Sequence, residues 1–299
     1  MDPKVEAEYY FRRGNDYLDA GRFDQAISEY GKSLNVYPFV PETYHNLGLA
    51  YFMTGEYDRA IICYSEAIKI NVIYSDAYHS RGLAYYYCNK YEEAISDYGL
   101  ALQINPLNLE AHINRGNAFR KMRKHEEALA DYNMAIQINP SLALAYYNKG
   151  LIYEDKGDFE QAIPEYTKAI ELNSNFAEAY NHRGVAYKKL NDYEKAINDY
   201  TNALDINSHY ADAYHCRGIA FDDQGMYDEA LSDYDNALII DTHYYRAYYN
   251  KALIYEKLDR IVEAVEAYSN FIKCAPDNYY SYVQQAKHRV EELLEYRQN

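Results

Sequence analysis

Residues 78–106 read YHSRGLAYYYCNKYEEAISDYGLALQINP. An arginine is set against a glycine, three tyrosines follow in a row, and a proline closes the stretch. Slid along itself until Gly48 meets Gly82, the chain falls into register with its own copy. Glycine stands at 14, 48, 82, 116, 150, 184 and 218, with Ala252 in the eighth place. Alanine recurs at 26, 60, 94, 128, 162, 196, 230 and 264, and tyrosine at 30, 64, 98, 132, 166, 200, 234 and 268. When the glycine is numbered position 8, eight copies result: 7–40, 41–74, 75–108, 109–142, 143–176, 177–210, 211–244 and 245–278. None carries an insertion or a deletion.

Inside each copy the pattern is helical. Aromatic residues at positions 4 and 11, and again at 17 and 24, are seven apart and share a helix face. Position 15 (Gly21, Gly55, Asn89, Arg123, Gly157, Asn191, Gly225, Asp259) is rich in residues that tolerate a left-handed backbone, which ends a first helix. Asn71, Asn105, Asn139, Asn173 and Asn207 at position 31 are expected to end the second helix in the same way. Pro38, Pro106, Pro140 and Pro276 then forbid its continuation. Small residues at positions 8, 20 and 27 let helix axes approach, and large rings fill the space beside them. Pro164 lies inside a second helix and predicts a bend near 160–164. Residues 279–299 fall outside the repeat and are expected to form a capping helix over the last copy.

The unit Y-x2-R-G-x2-Y…A-x3-Y…A…P resembles the tetratricopeptide repeat, whose pattern is W-x2-L-G-x2-Y…A-x3-F…P in a unit of the same length. The resemblance covers residues 7–278. It implies an all-α fold, a right-handed superhelical α-solenoid of helix-turn-helix repeats, forming one domain over 1–299. A unit this short cannot bury its apolar face alone, so neighbours stack and share a core.

The arginine of the opening stretch is position 7: Arg13, Leu47, Arg81, Arg115, Lys149, Arg183, Arg217, Lys251. Position 23 reads Glu29, Cys63, Asp97, Asp131, Glu165, Asp199, Asp233, Ala267. Leu47 coincides with Cys63, so a partly buried ion pair within one repeat is expected, with Asp233 serving Lys251 from the repeat before. A row of ligand-binding arginines is the other reading. Most of the 39 tyrosines sit at positions 4, 11, 17 and 24 and are expected in the core, Tyr85 among them. Tyr86 and Tyr87 are expected to face outward.

In the family resembled, first helices line a concave groove that holds an extended peptide or a partner helix, facing it with positions 2, 5, 6, 9, 12 and 13. On this chain the groove residues implied are His45, Asn46, Leu49, Phe52, His79, Leu83, Tyr86, Asn114, Asn117, Tyr147, Asn148 and Leu151. Asparagines at position 6 resemble a ladder that holds a peptide main chain, since an amide offers a donor and an acceptor. The ladder is contiguous only at Asn114–Asn148. The clamp for a C-terminal carboxylate known in the family needs cations at three places. Here Phe11, Asp76 and Ser80, or Ile113, Glu178 and His182, stand there instead. A heat-shock chaperone tail is therefore not expected.

Net charge is −16, which repels polyanions and disfavours nucleic acid and anionic membranes as partners. No 18-residue apolar run and no apolar leader occur, so membrane insertion is not expected. Cys63, Cys88, Cys216 and Cys274 lie far apart, which reads as free thiols in a reducing, cytoplasmic compartment. No metal-ligand spacing, cofactor loop or nucleophile motif is present, so no metal, cofactor or catalysis is expected. The expected function is a non-catalytic scaffold that takes a peptide or protein partner with basic and apolar side chains. The alternative is a structural module that self-associates through terminal faces or the groove.

Overall fold

The computed structural model describes residues 2–298, with side chains as far as residue 295. It is built of α-helices, and no strand occurs among the described residues. The chain forms two compact units, residues 1–148 and 149–299, and the division falls within α9 (Ala143–Lys156).

The first unit contains four helix pairs: α1 (Pro3–Asp19) with α2 (Phe23–Val36), α3 (Pro41–Met53) with α4 (Tyr57–Ile70), α5 (Ser75–Tyr87) with α6 (Tyr91–Ile104), and α7 (Leu109–Lys121) with α8 (His125–Ile138). The second contains α10 (Phe159–Leu172), then α11 (Ala177–Lys189) with α12 (Tyr193–Ile206), α13 (Ala211–Asp223) with α14 (Tyr227–Ile240), and α15 (Tyr245–Lys257) with α16 (Ile261–Cys274). A short 3₁₀ turn, Asp277–Tyr279, leads into α17 (Tyr280–Gln298). The helices keep the register of the sequence repeat.

All eight residues at position 15 have positive φ, from 55° at Asp259 to 82° at Gly55, and Arg123 adopts it as fully as the glycines. Position 31 differs from expectation. Asn71, Asn105, Asn139, Asn173 and Asn207 are not left-handed; Asn105, for example, has φ −127° and ψ 88°. Their side chains instead accept the amide N–H two residues on, as in Ser141 to Asn139 at 3.0 Å and His209 to Asn207 at 3.0 Å. Asparagine is there for a side-chain turn, not for a left-handed backbone. At Pro164, α10 runs unbroken from Phe159 to Leu172, one backbone donor short.

The core of each repeat is one interlock. The position-24 tyrosines are all buried, Tyr30, Tyr98 and Tyr200 completely. All but Tyr268, whose repeat has Ala252 instead, lie against the glycine of their own repeat: a Cβ at Gly82 would stand 2.9 Å from Tyr98 Cδ1, and one at Gly14 would stand 2.4 Å from Tyr30 Cε1. The expectation that positions 4, 11 and 17 are equally core fails. Their tyrosines, Tyr85 included, are half-buried. These rings are partly covered by their neighbours and partly open to solvent.

The position-7 cation occupies that edge. Arg81 donates twice to Asp97, at 2.7 and 2.8 Å, and once to Ser65 Oγ of the preceding repeat, at 3.0 Å. Arg183 binds Asp199 and Thr167, and Arg217 binds Asp233 and Thr201, in the same way. The guanidinium also lies between the rings of positions 4 and 11, 5.7 Å from Tyr78 and 6.0 Å from Tyr85 in the case of Arg81. The intra-repeat pair expected from sequence is therefore present. Lys251 departs from expectation by pairing with Asp235, not Asp233, because Arg217 already holds both oxygens of Asp233. Position 25, which ties Arg81, Arg183, Arg217 and Lys251 to the preceding repeat, escaped the sequence reading.

In the second unit α17 covers α16 as expected of a cap, with Ala286 and Leu293 buried in one cluster with Tyr268 and Phe271.

Candidate functional site

In the first unit the first helices α1, α3, α5 and α7 lie side by side in sequence order. Period and packing bring the same positions of successive repeats together, so side chains from neighbouring copies meet. His45 Nε2 is 3.1 Å from Ser80 Oγ, and His79 Nε2 is 3.0 Å from Asn114 Nδ2. Asn46 Nδ2 donates to Asn15 Oδ1 at 2.9 Å, and Asn148 Nδ2 donates to Asn117 Oδ1 at 3.3 Å. These are rungs between neighbouring repeats. Beneath them the buried tyrosines complete the network: the Tyr30 hydroxyl donates to Asn15 and the Tyr132 hydroxyl to Asn117, each at 2.8 Å.

Burial holds the ring of His45 and that of His79 below the usual imidazole range, so both are neutral near pH 7. A neutral ring lets His79 Nε2 accept from the Asn114 amide, which fixes the tautomer. The rungs thus carry no charge. Charge stands at the first turn of each helix instead, where Glu42, Asp76 and Glu110 are exposed.

Next to the rungs lies an aromatic cluster. Phe52 packs at 5.2 Å from Tyr57 and 5.4 Å from Tyr87, while Tyr57 and Tyr87 stack at 5.3 Å with 21° between planes. Tyr87 keeps 53% of its surface exposed, and Met53 does the same. Tyr86 is half-buried against Tyr91, so of the two tyrosines expected outside only Tyr87 is exposed.

The twelve residues implied by resemblance do not share one environment. His45, Asn46, His79 and Asn114 form rungs, and Phe52 and Tyr86 belong to the aromatic cluster. Asn117 accepts from Tyr132 and Asn148, and Asn148 is itself buried. Leu49, Leu83 and Tyr147 are half-buried. Leu151, in the second unit, is buried. Position 9 stands over the hydroxyl end of the position-24 ring, as Asn15 and Asn117 show, so a leucine there is packing before it is surface.

The sequence reading passed over a second cluster, in the second unit, where His215, Arg246, Tyr249 and Tyr282 line a cavity of about 190 Å³. Its signals were present: Arg246 breaks the acidic run at position 2, and Phe271 replaces a small residue at position 27. Among the described residues no three side chains are grouped to hold a metal ion, and no helix is long and apolar enough to cross a membrane.

Family models described as tetratricopeptide repeat match residues 5–71, 177–210 and 217–279, and a further one described as TPR repeat matches 82–123, 116–157 and 150–191. No curated protein matches the chain in sequence. Among solved structures, a crystal structure of MamA is 28% identical, covering 58% of this chain and 94% of that one with a TM-score of 0.54. A tetratricopeptide repeat protein from Parabacteroides merdae ATCC 43184 is 20% identical over 85% of this chain and 98% of that one, with a TM-score of 0.66. YrrB, a repeat protein with an unusual peptide-binding site, is 21% identical over 63% of this chain and 97% of its own, with a TM-score of 0.50.

Proposed function

Since the chain belongs to the tetratricopeptide repeat family, we propose that it is a non-catalytic protein-interaction scaffold that binds an extended peptide or partner segment across its first helices. One observation carries this reading. Neutral polar rungs recur between successive first helices, flanked by first-turn acids on one side and an aromatic cluster on the other. An amide has two donors and an acceptor with two lone pairs, so the asparagine rungs keep hydrogen-bonding capacity after pairing with their neighbours. Main chain meets the rungs, basic side chains meet Glu42, Asp76 and Glu110, and apolar side chains meet Phe52, Met53 and Tyr87. The partner is thus a segment with basic and apolar character, and nucleic acid is disfavoured by the net charge of −16. The four cysteines are unpaired, which supports a reducing, cytoplasmic setting.

The test begins with mass against concentration by sedimentation. A constant value near the 35.0 kDa of one chain leaves the first-helix face free; a rising one points to a second copy as its occupant, the self-assembly reading. A peptide array follows, with Asn114→Ala and Asn46→Ala as variants. Loss of the hits in both variants supports the site, and unchanged hits sink it.

A further inference from the structure

Three departures from the repeat converge at one place in the second unit. Position 2 is acidic at Glu178 and Asp212 but becomes Arg246. Position 27 is Ala203 and Ala237 but becomes Phe271. Tyr279 and Tyr282 come from outside the repeat. Together they line the cavity of about 190 Å³ between α13, α15 and the start of α17.

Its wall is aromatic. Tyr249 lies 5.0 Å from Phe271 and 5.7 Å from Tyr282, edge-on at 87°, and Tyr282 lies 5.8 Å from Tyr279. Phe271 is buried, while Tyr282 keeps 48% of its surface open to incoming groups. The polar groups are few. Asn250 Nδ2 meets His215 Nε2 at 3.1 Å. Burial, then the nearby Arg246 charge, pushes the His215 imidazole down to about 4, so it is neutral near pH 7.

Arg246 is therefore the charge on this wall. It lies 5.7 Å from the Tyr245 ring, and the phenols of Tyr279 and Tyr245 beside it hold the guanidinium above the usual arginine range. No carboxylate pairs with it among the described residues. The preceding acid of the run, Asp212, already accepts the Tyr244 hydroxyl at 2.5 Å. A guanidinium held by neutral phenols is matched better by an anion. The same charge excludes the other ligand that aromatic boxes take, a quaternary or methylated ammonium.

We propose that this cavity is a second recognition site, for a large apolar side chain that follows an acidic residue by two positions in an extended peptide. This rests on the peptide-scaffold reading above. The cavity is smaller than the roughly 300 Å³ at which ordinary ligand pockets begin, and it suits one side chain. In an extended chain residues two apart point to one side, about 7 Å from each other. The apolar group then enters among Tyr249, Phe271 and Tyr282 while the acid meets Arg246.

The probe is a fluorescent peptide, acetylated and amidated, with a Glu-x-Phe core, titrated against the full chain by anisotropy. Glu→Gln in the probe and Arg246→Gln in the protein are each expected to weaken binding by about tenfold. The two changes together are expected to add little to either, because they remove one interaction. Phe→Ala in the probe and Tyr282→Ala should couple likewise, with thermal midpoints checking that both variants fold. Arg246→Gln binding as tightly as the parent overturns the proposal. So does a probe with a free C-terminal carboxylate and no glutamate that binds as tightly as the blocked one. If Asn114→Ala abolishes binding and Arg246→Gln does not, the cavity is wrong and the rung site stands. The reverse result keeps the cavity and shows that this acidic probe does not use the rungs. A chain that binds no peptide at all overturns both.

Discussion

Repeats two and three share a glycine, a buried tyrosine and a half-buried ring pattern, yet they join their two helices by opposite chemistry. Repeat three places Arg81 against Asp97, and the carboxylate is nearly all buried. Repeat two places Leu47 against Cys63, both buried, and burial pushes the Cys63 thiol up to about 11, so it stays protonated. The same backbone accepts either a charge pair or an apolar pair. What it does not accept is half of each, because a buried charge without its partner keeps its desolvation cost and loses the compensation.

The sharpest way to break that comparison is Asp97→Ala, which strands Arg81. We expect a loss of about 3–5 kcal/mol, read as lost amide protection in α5 and α6 by hydrogen exchange. Gly48→Ala and Gly82→Ala should each cost about 1–3 kcal/mol, because the new methyl meets Tyr64 or Tyr98 under 3.0 Å away. These two losses should match, since the interlock is common to both repeats. Unequal losses would mean that the ion pair stiffens repeat three as a whole. Ser65→Ala removes the third acceptor of Arg81, and urea titration should show a loss of about 1 kcal/mol.

Acid should treat both repeats alike. His45 and His79 have folded pKa values below the ordinary 6.5, chiefly through burial. The unfolded chain therefore takes up protons first, and stability is complete above pH 6.5 and falls as pH drops below it. His45→Asn with His79→Asn should shrink that limb in thermal melts between pH 7 and 5, leaving the part that His215 contributes; an unchanged limb would assign it to other groups. The smallest effect is expected of Arg81→Leu with Asp97→Cys, which copies repeat two into repeat three. It should shift stability by less than about 1 kcal/mol, although each single change is costly.

The fold was legible almost to the residue, and the site much less so. Tandem copies expose their own consistency: a glycine, an alanine and a tyrosine that each recur at one fixed spacing leave one register for the helices. Arg123, a poor left-handed residue, still takes the positive φ that position 15 requires. Where one residue type serves two local geometries the reading failed. Asparagine at position 31 caps by its side chain in an extended backbone, which composition does not distinguish from a left-handed cap. The rungs were missed as rungs because each joins two copies of the repeat, one side chain at position 5 or 9 and the other at position 6 of the next copy. Position 25 was missed because its hydroxyl serves the following repeat, not its own.

The sequence alone determined the helix pairs, the turns at position 15, the Arg–Asp pairing and the terminal cap. Each follows from periodicity, backbone preference or the cost of a stranded charge, all local to a single repeat or its image in the next copy. Only the tertiary structure decided which rings are core and which are edge. A phenol at a helix rim and one between helices have the same periodicity, and solvent reaches only the first. Only packing showed that the polar side chains of the first helices already satisfy one another in part. Only packing brought Arg246, Phe271 and Tyr282 to one cavity, since the last belongs to a segment whose placement no repeat dictates.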